Sequence, residues 1–155
     1  MNNVDKPVSK GRLAWCYGDL GIGMALWQSG KAVDNKGWKE KGLEILLQST
    51  KRRDLKESLV SDAGICHGSA GVALIFRRMY LETCIEEFNE ATNYWITKTL
   101  DFAHFVDGLA GYKTKLASEW KCDYSLLTGI SGIGLVLLSY IENNQQKWDE
   151  ILLLS

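Results

Sequence analysis

Proline is nearly missing from this chain, with one residue, Pro7, among 155. Everything beyond it is free of the ring geometry and lost donor that break helices. Charge of one sign is missing as well. Lys and Arg number 18 against 19 Asp and Glu, a formal net charge of −1, so no global field draws nucleic acid or an acidic membrane surface. Long apolar runs are absent: the longest, 133–138, contains Gly134 and falls far short of a bilayer's thickness. The polar start, residues 1–10, lacks the apolar heart of a secretion signal, and the cytoplasm is therefore expected. Alternating apolar and polar runs are too few for an all-β protein. There is no P-loop, and Gly18-x-x-Gly21-x-Gly23 has its spacings in the wrong order for a dinucleotide site, with no strand before it. Asp19, Asp62 and Asp123 are isolated loop or helix-start acids, not the carboxylate pair that a glycosidase on helical hairpins requires.

What the chain has is glycine, fifteen residues of it, in a pattern. Trp15-Cys16-Tyr17-Gly18-Asp-Leu-Gly21 aligns with Ile65-Cys66-His67-Gly68-Ser-Ala-Gly71, 50 residues on. A third copy, Leu127-Thr128-Gly129-Ile-Ser-Gly132, follows after 61 more. Each copy opens an apolar helix, and an amphipathic helix follows each. The spacing predicts helices from about 17–19 to Gln28, over 38–52, 68–81, 84–106 and 129–143, and a short last one from about 146. Ser29-Gly30 is expected to stop the first, and 108–123 is expected to be a long loop. The result is an all-α fold of stacked hairpins, apolar helices inside and amphipathic ones outside. Glycine costs a helix roughly 1 kcal/mol relative to alanine. The recurring pairs three apart are expected to let neighbouring inner helices approach. Residues 1–11 read as a lead-in and 12–155 as the domain.

Cys16, Cys66 and His67 fall at equivalent points of two repeats, which brings them to one rim of the bundle. Three nitrogen or sulfur donors with a fourth position left open are the pattern of a catalytic zinc site. Cysteines just before helix starts are expected to have lowered thiol pKa values, which suits metal binding. A substrate thiol entering the open position would be activated as a nucleophile. Cys84, Cys122 and His104 sit outside the repeat register and are expected to be bystanders. Six Trp, six Tyr and four Phe supply core material or a surface on which a peptide can lie.

At Trp15-Cys16-Tyr17-Gly18, Cys66-His67-Gly68 and the Gly-x-x-Gly repeats, over roughly residues 11–145, the chain resembles the lanthionine synthetase C-like family, the cyclases of lantibiotic biosynthesis. The resemblance implies an α/α toroid, or here an open arc of about three hairpins of one. It implies zinc held by Cys16, Cys66 and His67. It implies addition of a peptide cysteine to dehydroalanine or dehydrobutyrine of the same precursor peptide, forming a thioether ring. Arg12, Trp15 and Tyr17 fall where family members line the site: Arg12 to stabilise the enolate, Tyr17 to donate or position a proton, Trp15 to contact substrate. Family cyclases are considerably longer. An upstream His and Asp that they use for proton transfer have no counterpart here. An open arc leaves apolar faces at its ends, which favours an upstream half or self-association as partner. The alternative is a non-catalytic zinc-containing module that binds a peptide or thiol.

Overall fold

Two turns in the left-handed region set the helix hairpins. The computed structural model describes residues 11–142 and 147–154. The expected lead-in therefore lies outside the described residues except for Gly11, as do the predicted end of the fifth helix at 143 and the start of the last at 146. Helix α1 (Asp19–Ala32) turns back through Asp34 (φ 49°) into α2 (Lys36–Thr50), whose first turn is capped by Asn35 Oδ1 accepting from Trp38 N at 3.0 Å. Helix α3 (Ser69–Thr83) ends on Cys84 (φ 56°), and α4 (Glu86–Asp101) begins two residues later. Helix α5 (Ile130–Glu142) opens the third pair.

Helices α1, α3 and α5 neighbour one another in that order, while α2 packs on α1 and also touches α4, which packs on α3. This is the inner and outer layering expected of an α/α toroid, seen as an arc. The core lies between the layers, around the fully buried Leu46, Phe76, Met79, Phe88 and Trp95, with the Phe76 and Phe88 rings 6.1 Å apart. As its all-round apolar sequence predicts, α3 is buried along most of its length. The two ends of the arc keep apolar side chains in water: Ile22 and Val33 on one side, Leu138 and Ile141 on the other. Among the described residues no helix is long and apolar enough to cross a membrane.

Several local expectations need correction. Gly30 does not stop α1: it is buried, and a Cβ there would stand 2.7 Å from Lys39 N, so the glycine serves close contact between α1 and α2. Gly42 does the same, facing Trp27 N at 2.7 Å and Gly23 O at 2.8 Å. Helix α4 ends at Asp101 because the chain then curls on itself, Phe105 N donating to Gly111 O at 2.9 Å. The expected long loop contains an antiparallel hairpin, β1 (Thr114–Leu116) with β2 (Glu119–Lys121), in register Lys115 opposite Trp120. Strands of three residues are too short for period-two alternation to show through mixed charge, and the turn uses Ala117 (φ 54°) instead of a glycine.

The last element is a short 3-10 helix, Trp148–Leu152. It reaches back across the inner helices. Asp149 pairs with Arg78, both buried, with Oδ2 3.0 Å from Nε; Trp148 Nε1 donates to Ser139 Oγ at 2.8 Å, and Gln28 Nε2 to Leu154 O at 2.9 Å.

The paired glycines do not mediate contact between inner helices as their main task. A Cβ on Gly21, Gly71 or Gly132 would collide with the carbonyl oxygen six residues earlier: Trp15, Ile65 and Leu126 in turn. Each lead-in thus lies directly on the first turn of its own helix. Gly132 also faces another repeat, with Ile65 Cδ1 2.8 Å away. The contact satisfies helix-start donors that have no partner inside the helix. Asp19 N donates to Arg12 O (3.1 Å), Ser69 N to Asp62 O (2.9 Å) and Ile130 N to Asp123 O (2.9 Å). At Gly18 the backbone itself demands glycine, with φ 122° and ψ −169°.

Candidate metal centre

The three lead-ins are stitched side by side by one recurring hydrogen bond. Cys16 N donates to Cys66 O at 3.3 Å, and Cys66 N donates to Leu127 O at 2.7 Å. These residues stand two positions before Gly18, Gly68 and Gly129. Sequence register is thereby turned into spatial adjacency, and Trp15 N (to Cys66 O, 3.0 Å) and Leu13 N (to Ser58 O, 3.1 Å) reinforce the first seam. Arg52 locks the same corner from behind. Its guanidinium binds Asp19 Oδ2 at 2.6 Å, Gly11 O at 2.5 Å and Glu57 O at 3.2 Å, so one half-buried side chain ties the start of the first lead-in to the segment that runs into the second. Asp19, in the first turn of α1, is thus held in an ion pair.

Cys16, Cys66 and His67 each bring one ligand atom into a group whose members lie within 4.8 Å of one another. Around a single tetrahedral zinc such atoms stand roughly 3.5–4 Å apart, given bonds of about 2.0–2.3 Å. A small inward movement makes the set fit. Cys16 is exposed and the other two are half-buried, so one side of the group faces solvent. Cys84 and Cys122 are exposed and outside the group; Cys122 Sγ donates to Asp107 O at 3.4 Å. His104 is exposed and stacks on Phe105 with centroids 4.4 Å apart.

The electrostatics of Cys66 are opposite to the expectation. Burial, followed by a hydrogen bond and charge repulsion from Cys16, pushes its thiol up to about 12, with Arg12 opposing weakly. The half-burial of Cys66 and the second sulfur beside it outweigh the nearby helix start. Such a pair favours a proton or a cation between them, which is the donor chemistry a divalent metal rewards.

Around the group, Arg12 Nη1 donates to Tyr17 Oη at 3.1 Å, and Tyr17 is 62% exposed. Arg12 Nε is buried with no hydrogen-bond partner among the described residues. Trp15 packs against the core and donates its indole N–H to Leu152 O at 2.9 Å. Its ring borders an apolar cavity of about 440 Å³ shared with Met24, Ala25 and Leu152–Leu154. Of the six predicted residues, Cys16, Cys66 and His67 form one group and Arg12 pairs with Tyr17, while the Trp15 indole is directed to Leu152. Sequence reasoning passed over Arg52 and the Leu152 carbonyl and took Asp62 only as an isolated acid; it is 1% exposed and places Oδ2 3.9 Å from His67 Nε2. Asp62 stands six positions before Gly68, as Arg12 stands before Gly18, so the repeat itself held the signal.

Comparison with known proteins follows the same outline. The family described as Lanthionine synthetase C-like protein matches residues 2–153. The nisin biosynthesis protein NisC of Lactococcus lactis subsp. lactis is 30% identical over 124 residues, covering 74% of this chain and 28% of that protein. The solved structure of a nisin cyclase superposes with a TM-score of 0.71 at 25% identity, covering 97% of this chain and 34% of the other. The chain thus spans about a third of the length of these relatives. Matched by the family over nearly its whole length and by the nisin cyclase fold over the same span, the chain belongs to the lanthionine synthetase C-like family.

Proposed function

We propose that this chain carries the zinc-holding part of a thioether-forming peptide cyclase. Cys16, Cys66 and His67 are the zinc ligands in this reading. The observation that supports it most is their convergence within 4.8 Å from separate lead-ins, with one side open. When bound, zinc lowers the pKa of an incoming peptide cysteine thiol, making the nucleophile available at neutral pH. The sulfur adds to the β-carbon of a dehydroalanine or dehydrobutyrine in the same peptide. Negative charge then develops on the carbonyl oxygen of that residue as an enolate. Arg12, whose guanidinium meets the exposed Tyr17 and acts electrostatically on Cys66, donates toward that oxygen. Tyr17, exposed and hydrogen-bonded to Arg12, positions the proton that completes the α-carbon. Trp15 offers its apolar face to the peptide beside the reacting cysteine, held in place through its N–H by Leu152.

The non-catalytic reading, a zinc module that binds a peptide or thiol, draws support from one feature. The chain has only two histidines, and His104 is exposed and stacked on Phe105, so beyond the proposed ligand His67 no histidine is placed at the Cys/His group for proton transfer. In this reading the apolar ends of the arc, at Ile22 and Val33 and at Leu138 and Ile141, receive further helical hairpins. These come from a longer chain or from a partner. Incubation with zinc and a dehydrated precursor peptide separates the two. Thioether formation that disappears in Cys16→Ala and Cys66→Ala supports the cyclase. Binding without ring formation supports the module, and neither binding nor reaction contradicts both.

A further inference from the structure

Each lead-in places one side chain six positions before its helix-start glycine and another one position before it. These are Arg12 and Tyr17, Asp62 and His67, and Asp123 and Thr128. In every repeat the two face each other. Arg12 Nη1 donates to Tyr17 Oη at 3.1 Å, Thr128 Oγ1 donates to Asp123 Oδ2 at 2.6 Å, and Asp62 Oδ2 lies 3.9 Å from His67 Nε2. The two aspartates also share their turn: Oδ1 of each accepts the backbone N–H two residues on, from Gly64 at 3.1 Å and from Ser125 at 2.8 Å. The frame is constant, and only the residue it presents changes: a phenol, an imidazole or a hydroxyl.

We propose that Asp62 is the positioning residue for His67, taking Nε2–H so that Nδ1 is the atom presented to the metal. This rests on the reading that Cys16, Cys66 and His67 hold a divalent cation. The carboxylate is buried and pinned on several sides. Besides Gly64 N it accepts Lys115 N on Oδ2 at 3.2 Å, and its Oδ1 sits 2.5 Å from where a Cβ on Gly68 would stand. The glycine after the histidine is thus the space the carboxylate occupies. A separation of 3.9 Å is about 1 Å longer than a hydrogen bond. A rotation of the ring, as the ligands draw together, closes it. A carboxylate behind a ligating imidazole fixes its tautomer and orientation and raises its basicity. Through Lys115 the β1–β2 hairpin is anchored on the same group.

The test compares Asp62→Asn with Asp123→Asn, its counterpart in the repeat that has no metal donor, using Co²⁺ as probe. Both changes remove a carboxylate from the same turn, so the loss of the turn itself is common to both. Asp62→Asn alone is expected to weaken Co²⁺ binding about 10- to 100-fold and to shift the visible absorption of the bound ion. Equal affinity in the parent and Asp62→Asn, or an equal loss in Asp123→Asn, overturns the proposal. Nitrogen NMR of the zinc-loaded parent chain gives an answer that needs no variant to fold. Nε2 protonated and Nδ1 coordinated is expected, and the reverse tautomer overturns it. A parent chain that takes up no Co²⁺ refutes the metal reading itself and this proposal with it, whereas tight binding indifferent to Asp62 refutes only the proposal.

Discussion

From Asp62 to Gly71 and from Asp123 to Gly132 the backbone follows one path. An aspartate caps its own turn, the chain lies across the first turn of the next inner helix, and a glycine pair makes the room. One path ends in Cys66-His67 and the other in Leu127-Thr128. Because both fold alike, the frame does not depend on the cysteine and histidine it carries. The cost of the glycines is a matter of folding, and the cysteines and histidine are additions to a platform that stands without them. The first repeat agrees, with Arg12 in the aspartate's place.

The comparison can be broken most severely at the glycines. Gly71→Ala drives a Cβ into the Ile65 carbonyl, a backbone atom that cannot swing aside. A loss of about 4 kcal/mol or more is expected, in the range of severe core changes, read by urea unfolding. Gly132→Ala should match it against Leu126 O, and if either variant is nearly as stable as the parent chain, the shared frame is wrong. Arg52→Met comes next. Removing the guanidinium strips Asp19 and the Gly11 and Glu57 carbonyls of their donor, with an expected loss of about 2–4 kcal/mol. It should also loosen the first and second lead-ins while sparing the third, which amide exchange at Cys16 and Cys66 against Thr128 would resolve.

A third effect sharpens the difference in chemistry. In the metal-free chain Cys66 keeps its proton until about 12, against 9.0 for an ordinary thiol. Between those values the folded state holds the proton that the unfolded state has lost. The stabilisation is therefore complete below about 9 and falls as pH rises toward 12. Alkaline unfolding of Cys66→Ala should show a shallower decline than the parent; an identical slope contradicts the assigned cause. With metal present the sign is opposite for affinity, which rises with pH by up to about tenfold per unit for each proton released. The smallest effect belongs to Gly134→Ala. Nothing lies within 4 Å of a Cβ there, so helix propensity should stabilise α5 by about 0.5–1 kcal/mol.

Much of the site was legible in the sequence because it rides on the repeat. Cys16, Cys66 and His67 were located by register alone, and the lateral hydrogen bonds from Cys16 and Cys66 show why register sufficed. The glycine pairs were equally visible, but their purpose was misjudged, since helix periodicity says that two residues share a face and not which chain crosses it. Asp62 was weighed only as an isolated acid, because its partner stands five residues away through a turn that no helical or strand period describes. The β1–β2 hairpin and the early end of α4 were hidden for a related reason. Both depend on contacts such as the rings of Phe105 and Trp120, 4.8 Å apart, that are made across an irregular segment. The raised thiol of Cys66 followed from burial beside a second sulfur, a three-dimensional fact that proximity to a helix start could not foretell.

The central claim is that two lead-ins hold one metal between them. The zinc-to-protein ratio of the purified chain, measured beside Cys16→Ala and Cys66→Ala with folding checked by circular dichroism, tests it most directly. One zinc per chain in the parent and near none in either folded variant is the expected result. Zinc content undiminished in both variants, or absent from a folded parent supplied with the metal, would contradict the account.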